Sequence, residues 1–169
     1  ADGKTAALAS LCCETDFVAR NDDFSAGCAK LAKAVLAAPA DQGVECLADV
    51  VVDGQKISDM VTELVSKTGE KTQLGDYMRY RLSGPGVIGA YVHFNNKVGT
   101  LVEVEASDDN VAKAVKTVAD EIAMHVTAMN PVAVDRSSVD PSTVAREREI
   151  AAEQVKDKPA NMVEKIVDG

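Results

Sequence analysis

Tryptophan is absent from this sequence of 169 residues, and aromatic residues of all kinds make up only 4% of it. Apolar residues still reach 46%, so we expect a core built from Ala, Val, Leu and Ile side chains. Positive charge is also scarce, because the formal net charge is −9. A nucleic-acid binder needs a basic face that neutralises phosphates, so the composition argues against direct nucleic-acid binding. It suits a partner that presents a neutral or basic surface.

Long hydrophobic runs are lacking as well, since none approaches the roughly 20 residues that cross a bilayer. No segment has the pattern of a signal peptide, so we expect no membrane association. The expected location is the cytoplasm or an organelle interior such as the plastid stroma. No glycine loop of the kind that cradles phosphates is present, and we therefore expect no bound nucleotide cofactor.

The four cysteines do not form a CxxC pair, and the two histidines, His93 and His125, are not spaced to complete a ligand set. Metal ligands must converge on one point. We therefore expect no metal site, and we expect reduced, mostly buried thiols.

The first third of the sequence predicts a strand, a corner and a helix. Residues 4–13 are rich in Ala and Leu and indicate a short strand. Thr15 is a suitable N-cap for a helical turn over residues 16–19. A longer helix follows, with Phe24, Cys28, Leu31 and Val35 at helical spacing, and Pro39 ends it.

The middle of the sequence predicts a helix followed by three strands. Ser58 is the expected N-cap of that helix and Gly69 its end. The strand-like runs cover residues 72–82, 87–94 and 98–105, with a turn at Asn95-Asn96 before the last of them. We expect these three strands to form an antiparallel meander.

The last third predicts helices. One long helix is expected from Asp109 to Met129, ending before Pro131. Its apolar stripe comprises Val111, Val115, Val118, Ile122, His125 and Met129. Asp140-Pro141 should begin another helix as N-cap and N1 residues, and Pro159 should begin a last one.

The two halves of the sequence resemble each other weakly. Lys4, Leu8 and Leu11 align with Lys97, Leu101 and Val104, and similar matches continue into the following helices. The expected fold is therefore α+β, with two related subdomains in which antiparallel strands pack against helices. We place the boundary between them at residues 84 and 85. The N-terminal subdomain has extra residues at the corner around Asp16 and Phe17, where a loop tip often carries binding residues.

The corner allows three interpretations. Phe17 either packs onto the next helix as a staple or stands exposed as an anchor for a partner. Alternatively, the nearby carboxylates act in acid–base chemistry or bind a cation, although their spacing does not match an EF-hand loop; they are those of Glu14, Asp16, Asp22 and Asp23. His125 similarly is a core residue or an active one. Val98-Gly99 opens a strand, where glycine permits a bulge or a close backbone approach.

A family resemblance follows from longer motifs. The string from Cys13 to Asn21, CETDFVARN, is similar to the signature of elongation factor Ts. Further matches occur in the family's order and cover nearly the whole chain: VIGAYVH at 87–93, VGTLVE at 98–103, IAMHV at 122–126 and EKIVDG at 164–169. The resemblance is to the core, or dimerisation, domain of the bacterial or organellar type.

The resemblance implies nucleotide exchange on elongation factor Tu during translation elongation, with no bond chemistry and therefore no enzyme activity. Asp16 and Phe17 would enter the GTPase domain and release GDP, with Thr15 and Val18 beside them. Val98, Gly99 and His125 correspond to further positions of contact with the partner.

Two departures from the family are expected to affect activity. The family's N-terminal helical domain has no counterpart here, and the C-terminal subdomain is expected to be incomplete. An excised or processed module, or one tandem unit of a plastid polyprotein, would explain both departures. The alternative function is a ribosome-associated or structural module that retains the fold.

Overall fold

The computed structural model describes residues 3–158 together with Met162 and Ile166. The chain divides into two compact units, Ala1–Met129 and Asn130–Gly169. The first unit contains, in chain order, β1 Thr5–Cys12, α1 Asp16–Ala19, α2 Asp22–Ala37, β2 Val51–Val52, β3 Gln55–Lys56, α3 Ile57–Thr68, β4 Gln73–Arg81, β5 Gly86–Val92, β6 Gly99–Glu105, α4 Asp109–Ala114 and α5 Lys116–Met129. The second unit contains α6, Pro141–Gln154, which begins with the expected Asp140 cap.

The first layer of the larger unit pairs β1 with β4. The two strands are antiparallel, with Leu8 opposite Met78 and a bulge between Ala9 and Leu11. Helix α2 packs against them and α3 packs against α2, and together they bury a core of mainly aliphatic side chains. The cluster at its centre consists of Leu31, Ala34, Val35, Ala38, Leu47, Val52, Ile57, Met60, Leu64 and Tyr77. The expected aliphatic core is confirmed.

A buried arginine holds the end of α2 against β4. The Arg79 side chain is only 4% exposed, and its Nη1 donates to the carbonyl oxygens of Val35, Leu36 and Ala38 at 2.9–3.0 Å. Nε donates to the Asp41 carboxylate at 2.7 Å. Because the last carbonyls of a helix have no partner within the helix, the guanidinium satisfies groups that would otherwise be orphaned.

The second layer is the hairpin of β5 and β6, covered by α4 and α5. Gly89 of β5 lies so close to α5 that a Cβ atom there would be 2.2 Å from the carbonyl oxygen of Ala119. Asp120 of α5 accepts a hydrogen bond from the backbone N–H of Ala90 at 2.9 Å. The helix is thus fixed directly against the backbone of the strand.

This close approach explains why the predicted stripe of the long helix is wrong. The buried residues of α4 and α5 are Ala112, Ala119 and Ala123. The expected stripe is largely on the outside, with Val111, Val118, Ile122 and Met129 exposed, and His125 exposed as well. Beside Gly89 only small side chains fit, so close packing selects the alanine face over the more hydrophobic one.

The single long helix from Asp109 to Met129 is also a wrong prediction. Val115, with φ −92° and ψ 2°, separates α4 from α5. Both helices keep an alanine on their buried side, Ala112 before the break and Ala119 after it. Both segments on either side of Val115 therefore bury small residues.

The antiparallel meander is wrong in its connections, although its three strands exist. β4 pairs with β1, whereas β5 and β6 pair only with each other in the described sheets. The N-cap Ser58 is wrong too, because α3 begins at Ile57. Ile57 is fully buried, and the Ser58 amide donates to the carbonyl of Ala48 at 3.0 Å. Because Ile57 is buried in the core, the helix begins one residue before Ser58, the residue whose side chain is better suited to capping.

The element order repeats within the larger unit, as the sequence indicated. β1 is followed by the short α1 and the long α2, and β6 is followed by the short α4 and the longer α5. The α+β class with antiparallel strands packed on helices is confirmed. The division at residues 84 and 85 stays a prediction. The last expected helix, beginning at Pro159, falls mostly on residues outside the described part of the chain.

Two further observations concern the expectations from composition. The described cysteines are free, but Cys12 and Cys28 are exposed, so the expectation of mostly buried thiols is wrong. Within the described residues, no helix combines the length and the apolar character that a membrane crossing requires.

The contact between Gly89 and Ala119 gives a stability prediction. Gly89→Ala should lower the free energy of unfolding by about 3 kcal/mol, since the methyl group would meet backbone atoms that cannot rotate away. For a unit of this size the melting temperature should fall by roughly 10 °C. Gly84→Ala is the matched control, because nothing lies within 4 Å of the added Cβ. Equal melting temperatures for the two variants in thermal unfolding would contradict the close approach.

Candidate functional site

The corner after β1 is built from two consecutive helix starts. Thr15 is the N-cap of α1, and its Oγ1 accepts from the N–H of Val18 at 3.3 Å. Asn21 then caps α2 by accepting from the N–H of Asp23 at 2.8 Å. Side chains that accept from the free N–H groups of a helix start stabilise it. The predicted cap and the four-residue helical turn are confirmed.

The corner is held from the other side by Glu70. The backbone N–H of Thr15 donates to Glu70 Oε2 at 3.1 Å, and Thr15 Oγ1 donates to Glu70 Oε1 at 2.7 Å. In return, the N–H of Lys71 donates to the Glu14 carboxylate at 3.2 Å. These bonds involve ionised acceptors, which are stronger than neutral ones. They join the corner to the loop that follows Gly69, the left-handed residue that ends α3.

This support presents the Phe17 ring to solvent. Phe17 is 88% exposed, whereas its neighbour Val18 is buried. Phe24, at the start of α2, is 4% exposed. The interpretation of Phe17 as a staple packed onto the next helix is therefore wrong, and Val18 is the residue that anchors α1. Leaving a phenylalanine ring in water forgoes about 1.5–3 kcal/mol of burial.

An ion pair joins the corner to the β5–β6 hairpin. Lys97 Nζ lies 3.0 Å from the Asp16 carboxylate. The hydrogen bond and the charge of Lys97 lower the pKa of the Asp16 carboxyl below its ordinary value. Because the pKa is lowered, the pair is present above the ordinary value and is lost as the pH falls through the lowered one. Both side chains are largely exposed, so salt screens the pair.

The structure therefore brings Asp16 and Val98-Gly99 into one neighbourhood. Val98 is half exposed, and Gly99 begins β6. A Cβ atom on Gly99 would lie 3.1 Å from Leu8 of β1. The close approach expected at Gly99 thus exists, and it is an approach to a side chain of the same unit.

His125 lies on the outer side of α5. Two residues later Thr127 shares a 2.7 Å hydrogen bond with Thr100 of β6. Since each helical residue turns by about 100°, His125 points roughly opposite to Thr127. His125 is exposed, so its interpretation as a core residue is wrong.

The acidic residues of the corner pair with separate partners. Glu14 accepts from Lys71, Asp16 pairs with Lys97, and Asp23 pairs with Lys67 on α3. Over the described ranges, no cluster of three His, Cys, Asp or Glu side chains could hold a metal ion. The interpretation of these carboxylates as cation ligands has no geometric support.

Three residues that contribute to this surface were not among the site residues predicted from the sequence. Glu70 supports the corner from 55 positions away along the chain. Lys97 pairs with Asp16 from the hairpin turn. Phe94, in the same turn, is 87% exposed. Only Phe94 carried a local signal, an aromatic residue directly before the turn-forming Asn95-Asn96.

Comparison with known proteins assigns the chain to a family. The family model described as Elongation factor TS matches residues 14–169. The chain belongs to the elongation factor Ts family. The resemblance inferred from the sequence motifs is thereby confirmed.

Elongation factors Ts from several bacteria are similar to this chain. That of Desulfovibrio desulfuricans is 43% identical over 99% of this chain and 58% of its own length. Those of Azoarcus sp. and Clostridium acetobutylicum are 40% and 36% identical, over 100% and 99% of this chain. The chain spans 54% and 55% of the length of these two relatives, or about half.

The Glu70 support gives a prediction about the corner itself. Glu70→Ala should remove both acceptors of Thr15 and lower the free energy of unfolding by about 1–2 kcal/mol. The exchange of the Thr15 amide hydrogen should accelerate about tenfold or more, because that N–H loses its acceptor. Hydrogen exchange measured by NMR checks this, with Glu121→Ala on the exposed side of α5 as control. An unchanged Thr15 exchange rate would show that Glu70 does not hold the corner.

Proposed function

We propose that this chain catalyses guanine nucleotide exchange on elongation factor Tu during translation elongation, by inserting the Asp16-Phe17 corner into the GTPase domain. The observation that carries the proposal is the exposed Phe17 ring on a doubly supported corner. The corner lies within the part of the chain that matches the elongation factor Ts family.

The physical basis is a reciprocal coupling between two ligands of one protein. If the corner binds the nucleotide-free GTPase more tightly than the GDP-bound form, it must weaken GDP binding by the same factor. Phe17 would wedge between helices and disturb the phosphate and Mg²⁺ side of the nucleotide site. GDP then leaves faster, and GTP later displaces the exchange factor. No covalent bond is made or broken, so the chain acts without enzyme chemistry.

The rigidity of the corner supports this role. A wedge is effective only if little conformational entropy is lost when it is ordered by the partner. The caps of α1 and α2 and the bonds to Glu70 already hold the backbone around Phe17. We propose that Thr15 and Val18, whose side chains are engaged within the chain, position the ring, while Asp16 and Phe17 meet the partner.

Further contacts extend the proposed interface. Val98 and Gly99 lie beside the corner through the Lys97–Asp16 pair, and we propose that their exposed side continues the contact. His125 is exposed on α5 and is proposed as a separate, weaker contact. The acidic balance of the chain, −9, favours a partner surface that is neutral or basic.

The central prediction contrasts two phenylalanines. Phe17→Ala should leave the melting temperature nearly unchanged, because the ring is in solvent, and should weaken exchange by roughly thirtyfold, about 2 kcal/mol. Phe24→Ala should do the opposite, lowering the free energy of unfolding by about 3–5 kcal/mol because that ring is buried. Release of labelled GDP from elongation factor Tu and thermal unfolding, measured on both variants, test this.

The proposal fails if the Phe17→Ala variant accelerates the release of GDP from elongation factor Tu as much as the unmodified chain does. It also fails if the unmodified chain, folded and in excess, leaves the rate of GDP release unchanged. In that case a ribosome-associated or structural module becomes the better account of the same fold.

A further inference from the structure

A second aromatic ring stands in solvent near the corner. The chain has three phenylalanines, and two of them, Phe17 and Phe94, are 88% and 87% exposed. Phe94 is in the turn between β5 and β6. Exposed large rings on a chain with so few aromatic residues are typical of contact sites, because rings supply much of the binding energy of interfaces.

The turn holds this ring in place. The N–H of His93 donates to Val98 O at 2.9 Å, and the N–H of Asn96 donates to His93 O at 2.8 Å. The His93 and Phe94 rings lie 4.3 Å apart, centroid to centroid. His93 Nδ1 in turn shares a 3.0 Å hydrogen bond with the hydroxyl of Tyr91. The ring is therefore presented from a fixed turn, which lowers the entropic cost of binding.

The turn and the corner form one surface. Lys97 and Asp16 make a 3.0 Å ion pair, with Phe17 next to Asp16 and Phe94 three positions before Lys97 in the chain. The ion pair thus links the corner that carries Phe17 to the turn that carries Phe94. A partner that covers Phe17 consequently approaches the hairpin turn as well.

We infer that Phe94 is a second apolar anchor for the GTPase that receives the corner, and that it fits an apolar depression on that protein apart from the one that receives Phe17. This inference rests on the proposed exchange function and adds a residue to its interface. Phe94 contributes affinity, whereas Phe17 acts on the nucleotide site, because removal of Phe94 leaves the Glu70 support and the Asp16–Lys97 pair intact.

The charge of the chain favours this occupant over a second copy. Two copies that carry −9 each repel one another, whereas a basic partner surface is attracted and a neutral one is not repelled. The two rings beside a neutralised ion pair then supply the apolar centre of the contact. Self-association through Phe94 is a distinct outcome that the experiment below separates.

The test is the concentration dependence of GDP release from elongation factor Tu. For Phe94→Ala, the concentration that gives half-maximal release should rise about tenfold, while the maximal rate stays within about twofold. Phe94→Tyr, which keeps the ring, should behave as the unmodified chain. Leu36→Ala is the control, since Leu36 is also exposed and apolar but lies near the far end of α2, about 20 Å from the corner.

Each result has one meaning. If the unmodified chain releases GDP and Phe94→Ala has the same half-maximal concentration, the inference is overturned and the proposed function stands. If the unmodified chain neither binds the GTPase nor accelerates its release of GDP, both the inference and the proposed function fail. A lower melting temperature for Phe94→Ala would make it a structural residue. A change from dimer to monomer in sedimentation would assign Phe94 to self-association, and either result overturns the inference.

Discussion

The buried guanidinium of Arg79 is the interaction on which the first layer of the structure depends. A buried charge is tolerated only when its donors find partners. Each nitrogen of the Arg79 guanidinium has one: Nη1 donates to carbonyls at the end of α2, Nη2 to Ala40 and Nε to Asp41. It fixes α2 to β4, and β4 fixes β1 by antiparallel pairing. β1 leads directly into the corner, so the position of Phe17 follows from a network that begins at the opposite end of α2.

At the corner, neighbouring residues differ: some are buried or hydrogen-bonded within the chain, and one is exposed to solvent. Val18 is buried and Thr15 is bonded to Glu70, while Phe17 between them is in solvent. The same division recurs at the hairpin, where His93 is bonded to Tyr91 and Phe94 is exposed. In both places residues next to the ring are buried or hydrogen-bonded within the chain, while the ring itself is exposed to solvent. The proposed exchange mechanism uses the apolar surface of these exposed rings.

Features that depend on neighbouring residues, such as helix caps, could be predicted from the sequence. Packing between distant parts of the chain could not. Thr15, Gly69 and Asp140 act within one helical turn, and their caps were predicted correctly. The face of α5 was predicted wrongly, because the choice depends on Gly89 of another element. The partner of β4 and the Glu70 support depend on contacts between residues more than 50 positions apart. Hydrophobic periodicity carries no information on such distances.

The proposed exchange function requires that this chain and GDP weaken each other's binding to one GTPase. The direct measurement is the affinity of the chain for elongation factor Tu, once without nucleotide and once saturated with GDP, by calorimetry. We expect the chain to bind at least about fivefold more tightly without nucleotide, and we expect the affinity for GDP to fall by the same factor when the chain is bound. Equal affinity for the two forms would contradict the proposed exchange function, since a ligand that binds two states equally well does not shift the equilibrium between them.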